Sequence, residues 1–166
     1  MRKCMQIFCL VILVSLLATN LAGCSGNTPP DFTTVHEHYL KHSRDISIVL
    51  DFLVSSGYED VSIRDCDGMM RADFNTVSIE NDAVNEAIGR LISNSAYLNI
   101  YKNGNSVSFL QWSGIRDIGC GIAYSINGTD APEIQFATQL TPFSESGWFY
   151  YVADYNAWRD SRETTD

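Results

Sequence analysis

The apolar run near the start of the chain divides it into two parts that obey different rules. Met1-Arg2-Lys3 is basic, and from Ile7 to Leu17 only Cys9 and Ser15 interrupt a row of large apolar side chains. Asn20 and Gly23 close the run. A helix that spans a bilayer needs about 20 apolar residues to cross a hydrocarbon core of about 30 Å, and this run is shorter. A basic start, an apolar stretch of about a dozen residues and small residues at its end are the parts of a secretory signal peptide. Residues 1–23 therefore read as an address that is cleaved off, and the fold has to be built from residue 24 onward.

The junction itself is Leu21-Ala22-Gly23-Cys24. Leu, a small residue, Gly and then Cys, in that order at the end of an apolar run, resemble the lipobox of bacterial lipoproteins. The resemblance covers residues 1–25. It implies that the Cys24 thiol receives a diacylglyceryl group, that the peptide bond before Cys24 is cut, and that acyl chains such as palmitate hold the mature protein on the extracytoplasmic face of the cell membrane. The chemistry fits, since a thiolate is the best side-chain nucleophile in this stretch. Two acyl chains anchor a protein stably where one gives only marginal binding. Ser25 is compatible with the outer membrane in a host that has two membranes.

Charge and length then limit the body of the chain. Removing Arg2 and Lys3 from the 11 Lys+Arg leaves 9 against 20 Asp+Glu, a net charge of −11 for the part from Cys24 onward. Nucleic acid as a partner is argued against, because its phosphates demand Lys and Arg, and so is a polybasic contact with lipid headgroups. The remaining length suits a single domain and is short for a two-lobed solute receptor.

Residues 24–30 read as the lipidated Cys followed by a flexible Gly/Ser/Pro tether. The spacing from 31 onward predicts a long helix over 34–55, capped by Asp31 or Thr33-Thr34 and stopped by Gly57, with Val35, Tyr39, Leu40, Ile46, Val49, Leu50 and Leu53 as its apolar stripe. Alternation predicts a strand over 58–64, and Asp67-Gly68 reads as a hairpin turn. The stretch 69–79 is ambiguous, with a strand around Val77-Ser78-Ile79. Asn81-Asp82 opens a second helix with Val84, Ala87, Ile88, Leu91 and Ile92 on one face. The second half is strand after strand: 97–102 and 106–112 around Asn103-Gly104-Asn105, 119–126, an irregular strand within 132–140, and 148–153, nearly continuous in apolar residues and so expected to lie centrally with both faces covered. The expected fold class is α+β, two helices packed on one face of a largely antiparallel C-terminal meander sheet, as a single domain over 31–158 with a solvated tail at 159–166.

Candidates for chemistry are few. Cys66 and Cys120 are the one pair left for a disulfide, which an extracytoplasmic site permits and which would stabilise by about 4 kcal/mol; two buried free thiols are the alternative. His38 and His42 stand one helical turn apart, as metal ligands would. His36 points elsewhere and the His-Glu-x-x-His order of a metalloprotease is absent, so no metal and no other cofactor is expected. Asp65, Asp67 and Asp73 cluster around one turn, but lack the calcium-loop order. Arg116 and Arg159 are rare cations whose simplest role is pairing with a carboxylate of the fold. Trp112, Trp148, Tyr150 and Trp158 form an aromatic group that serves either as core or as a surface for a sugar or protein partner. The functional expectation is a lipid-anchored, non-enzymatic binding or interaction module of the cell envelope with a protein or carbohydrate partner. The alternative is an envelope hydrolase using carboxylates of the Asp65–Asp73 turn.

Overall fold

A computed structural model describes residues 28–94, 96–114, 118–128 and 130–163. The expected signal peptide, the lipobox-like motif with Cys24, and Arg116 lie outside the described residues. The chain forms α1 (Phe32–Ser55), β1 (Asp60–Ile63), β2 (Met69–Ala72), β3 (Asn75–Ser78), α2 (Asp82–Ile92), β4 (Asn99–Asn103), β5 (Ser106–Ser113), β6 (Ile118–Ser125), β7 (Ala137–Pro142), β8 (Trp148–Asp154) and α3 (Tyr155–Glu163). The eight strands make one sheet in the order β3-β2-β1-β4-β5-β6-β8-β7, with every pairing antiparallel. The fold class is α+β.

Local chemistry accounts for the helix ends. Asp31 accepts from the Thr34 N–H at 2.8 Å and caps α1. At the other end Gly57 takes a φ of 76°, a left-handed conformation that glycine adopts without a Cβ penalty. Asn81 caps α2 through the Val84 N–H. Val35, Tyr39, Ile46, Val49, Leu50 and Leu53 are buried on α1. Leu40 departs from the expected stripe: it is 52% exposed, since it lies about 100° around the helix from Tyr39.

Lys102 on β4 is 7% exposed, and its Nζ donates to the Leu53 carbonyl at 2.9 Å. The ammonium thus joins the Ser56 hydroxyl, 2.8 Å from the same oxygen, on a last-turn carbonyl for which the helix backbone supplies no donor. The first turn of α1 is seated among aromatic rings. Phe32 lies 5.3 Å from Phe143 and 6.0 Å from Tyr150, and Tyr39 lies 4.9 Å from Trp148. The Tyr150 hydroxyl donates to the Pro30 carbonyl at 2.8 Å. Pro30, at the end of the expected tether, is therefore part of the fold. On the outer side of the helix pair, Arg90 of α2 grips the Asp45 carboxylate of α1 through Nε and Nη2.

Strand alternation sorts the sheet into two faces. Val61, Ile63, Ile100, Phe109, Ile122 and Tyr150 point toward α1 and α2 and build the core. Every residue of that core and its packed margin lies between Phe32 and Val152, so the segment carries its own core.

Three elements differ from the sequence reading. The 69–79 stretch is two strands joined by Asp73-Phe74, not one. The 148–153 strand is interior but next to the edge, because β7 pairs on its outer side. The residues from Arg159 to Glu163 are not tail but the second half of α3, whose start is capped by Asp154 Oδ1 accepting from the Ala157 N–H at 3.0 Å.

Candidate functional site

Among the described residues, neither α1 nor α2 covers the second face of the sheet. A cleft of about 590 Å³ opens there, within the range of small-molecule sites. Its floor follows from the strand register. Ser62 of β1 stands opposite both Arg71 of β2 and Tyr101 of β4, Tyr101 stands opposite Ser108 of β5, and Ser108 opposite Ala123 of β6. One row across the sheet therefore reads Arg71, Ser62, Tyr101, Ser108, Ala123. Tyr151 of β8 lies beside Gly121, and its ring closes the far end of the floor with the hydroxyl paired to Ser108. Burial raises the pKa of that phenol. Gly121 has to be glycine: a Cβ would run into the Phe109 carbonyl oxygen.

The far wall is the β6–β7 connection. The Glu133 N–H donates to Ser106 Oγ at 2.8 Å, which lays the connection over the sheet and brings Ile134 and Gln135 to the cleft. The Phe136 ring packs edge-on against Tyr155 at 4.8 Å and Trp158 at 4.9 Å. Helix α3 thus braces this wall from behind.

The near rim is the β2–β3 turn. Ala72 pairs with Asn75, so Asp73 and Phe74 form a two-residue hairpin loop, with φ of 44° and 70°. Two positive φ values are what such a loop requires for strand twist, and Asn-Gly is its usual sequence. A phenylalanine there is strained. Its side chain is 94% exposed and borders the cleft. The Asp73 carboxylate supports the turn by accepting from the Glu59 and Asp60 N–H groups at 3.2 and 2.9 Å.

Charged residues that border the cleft include Arg64, Arg71, Asp60, Asp73 and, on the opposite wall, Glu133. Neither arginine side chain makes an ion pair or hydrogen bond with another described residue, whereas Arg90 is held by Asp45 and Glu86, and Arg159 by Asp160. Ser62 Oγ, between Arg71 and Tyr101, is buried without a partner. Unsatisfied buried polar atoms are uncommon and call for an explanation.

The residues singled out from sequence fall elsewhere. Trp148 and Tyr150 are 7% and 3% exposed and belong to the core that seats α1. Trp112 packs against the same core from β5, and Trp158 braces the connection. The four do not form one surface, because alternation turns Trp148 and Tyr150 toward the helices and leaves Tyr151 on the cleft side. Cys66 and Cys120 are free thiols, not a disulfide. Cys66 is exposed in the β1–β2 connection beside Ser93 Oγ at 3.1 Å, whereas Cys120 is wholly buried on β6. Burial pushes the Cys120 thiol up to about 12, which makes it inert.

Asp65, Asp67 and Asp73 do not share a turn. Asp67 accepts from the Met69 N–H at one end of β2, and Asp73 sits at the other. The length of the strand separates them. His38 and His42 do meet, with ring centroids 4.7 Å apart, and both pack on Tyr97. Desolvation lowers the pKa of each, with Lys41 nearby adding to it. No cluster of three His, Cys, Asp or Glu side chains that could hold a metal occurs among the described residues.

Comparison with protein-family models, with curated proteins and with solved structures returns no match.

Replacing Phe74 with Gly is expected to stabilise the domain by about 1 kcal/mol. The left-handed backbone costs a side chain about 1–2 kcal/mol, part of which is offset by the extra chain entropy of glycine. Urea titration measures it; a lower midpoint would mean that the Phe74 ring supports the turn.

Proposed function

We propose that this protein is a lipid-anchored binding module of the cell envelope, held through Cys24 and taking its ligand in the cleft on the helix-free face of the sheet. The observation that carries this reading is the cleft itself: convergent polar groups and an exposed aromatic rim surround a space of about 590 Å³. A non-enzymatic role is favoured because, among the described residues, no histidine and no cysteine borders the cleft. The histidines lie on α1, across the sheet, and Cys120 is buried in the core.

The anchor rests on the Leu21-Ala22-Gly23-Cys24 motif. Six residues from Cys24 to Pro30 reach about 20 Å at most. Because Tyr150 holds the Pro30 carbonyl, the start of α1 would then lie toward the membrane. A ligand bound on the other face of the sheet would be read from the opposite side of the domain.

Two measurements test the two halves of the proposal. Cells grown with radiolabelled palmitate should label the wild-type protein and leave Cys24→Ser unlabelled; label persisting in the variant would contradict the anchor. For the cleft, the ¹⁵N-labelled segment from residue 28 onward can be screened against a fragment set by NMR. Shifts are expected to gather on Ser62, Tyr101, Ser108 and Leu110, and hits gathering on the helix face would contradict the site.

A further inference from the structure

We infer that the cleft takes a small amphiphile with one anionic head, an acyl or aryl carboxylate, whose head is held by Arg64 and Arg71 and whose apolar body lies along Leu110, Ile134 and Tyr151. The inference rests on the cleft being the ligand site and adds what that ligand must look like.

The sheet order gives the cleft a polarity. Arg71 is on β2 and Arg64 just past the end of β1, on one side. Leu110 on β5, Tyr151 and Ala153 on β8, and Ile134 on the wall lie toward the other. From β1 to β8 the sheet spans four inter-strand spacings, about 19 Å. A ligand laid across the strands therefore meets guanidinium groups first and apolar side chains afterwards.

The two arginines are placed to act together. Ser62 is opposite Arg71, and Arg64 lies two residues further along the chain on the same face. Both arginines border the cleft, and only Ile63 separates Arg64 from the residue opposite Arg71, so that both long side chains can reach one carboxylate. Guanidinium groups bind carboxylates through paired N–H donors. Both lack a partner among the described residues, in a chain with 20 acidic residues. Ser62 Oγ, buried and unpartnered between Arg71 and Tyr101, supplies a third donor at the same spot.

The acids at this end bear on the choice of ligand. Asp73 is engaged by two backbone N–H groups, and Glu133 is on the exposed opposite wall. Asp60 remains, two residues before Ser62 on the same face of β1. It sets the limit: a single anionic head fits beside it, whereas a ligand with several negative charges is repelled.

The test uses three probes that share a tail and differ in the head: decanoate, decanol and decylamine, each below its micelle concentration, titrated by NMR into the segment from residue 28 onward. Decanoate is expected to bind about tenfold or more tighter than decanol, a factor worth about 1.4 kcal/mol, and decylamine no tighter than decanol, with the shifts on Tyr101, Leu110 and Tyr151. In the double variant Arg64→Gln/Arg71→Gln, decanoate should fall to the decanol level while decanol binding is unchanged, which also shows that the variant folds. Asp60→Asn should tighten decanoate binding. Equal binding of all three probes at the cleft, or a carboxylate preference that survives the double variant, would overturn the inference and leave the cleft as the ligand site. Absence of binding by any probe, or shifts confined to the helix face, would overturn this inference, and shifts on the helix face would also count against the cleft as the site.

Discussion

The seating of α1 on one face of the sheet is the contact on which the rest depends. Phe32, Tyr39, Phe143, Trp148 and Tyr150 converge on the first turns of that helix, and the Tyr150 hydroxyl ties down the Pro30 carbonyl. At the other end, Lys102 reaches through the core to the Leu53 carbonyl. Between these two ties, the helix lays its stripe of Val35, Ile46, Val49 and Leu53 on the strands, and all four are fully buried. Burying a side chain of this size is worth about 1.5–3 kcal/mol. The large aromatic residues of β8 belong first to this contact.

With α1 and α2 on one face, the other face has no helix laid across its middle among the described residues. The chain manages that face in two ways. Across β6 it uses the small residues Gly119, Gly121 and Ala123, and Tyr151 lies over the middle of them. At the far side it bends the β6–β7 connection back over the strands and pins it with the Phe136, Tyr155 and Trp158 rings. What stays open between this wall and the β2–β3 turn is the cleft. Strain at Phe74 is concentrated at its rim, which suits a position kept for contact and not for stability.

Most of the architecture is legible in the sequence because it rests on local signals. Asp31, Gly57 and Asn81 mark helix ends by capping chemistry, and Gly104 and Gly128 mark turns by their positive φ. The alternation of Cys120, Ile122 and Tyr124 against Gly121 and Ala123 separates the two faces of β6. Strand β2 escapes a sequence reading because Asp73-Phe74 carries none of the usual residues of a two-residue turn. The site is harder to read for a different reason. Arg64, Arg71, Tyr101 and Ser62 come from three neighbouring strands and their ends, and only the register brings them together. Arginines on alternating strands look like any solvated face until it is known which face lacks helices. The aromatic run at 148–158 stands out by composition, yet alternation places its largest residues in the core. Tyr151, on the other side of the same strand, is the member that reaches the cleft.

The claim that one face of the sheet is open can be checked without knowing any ligand. A neutral, water-soluble gadolinium chelate broadens the NMR signals of groups that solvent can reach. The methyl groups of Leu110 and Ile134 should be broadened strongly, and those of Ile100, Ile122 and Val107, wholly buried under the helices, should be left sharp. If Leu110 and Ile134 prove as protected as Ile122, both faces of the sheet are covered and the cleft does not exist in solution.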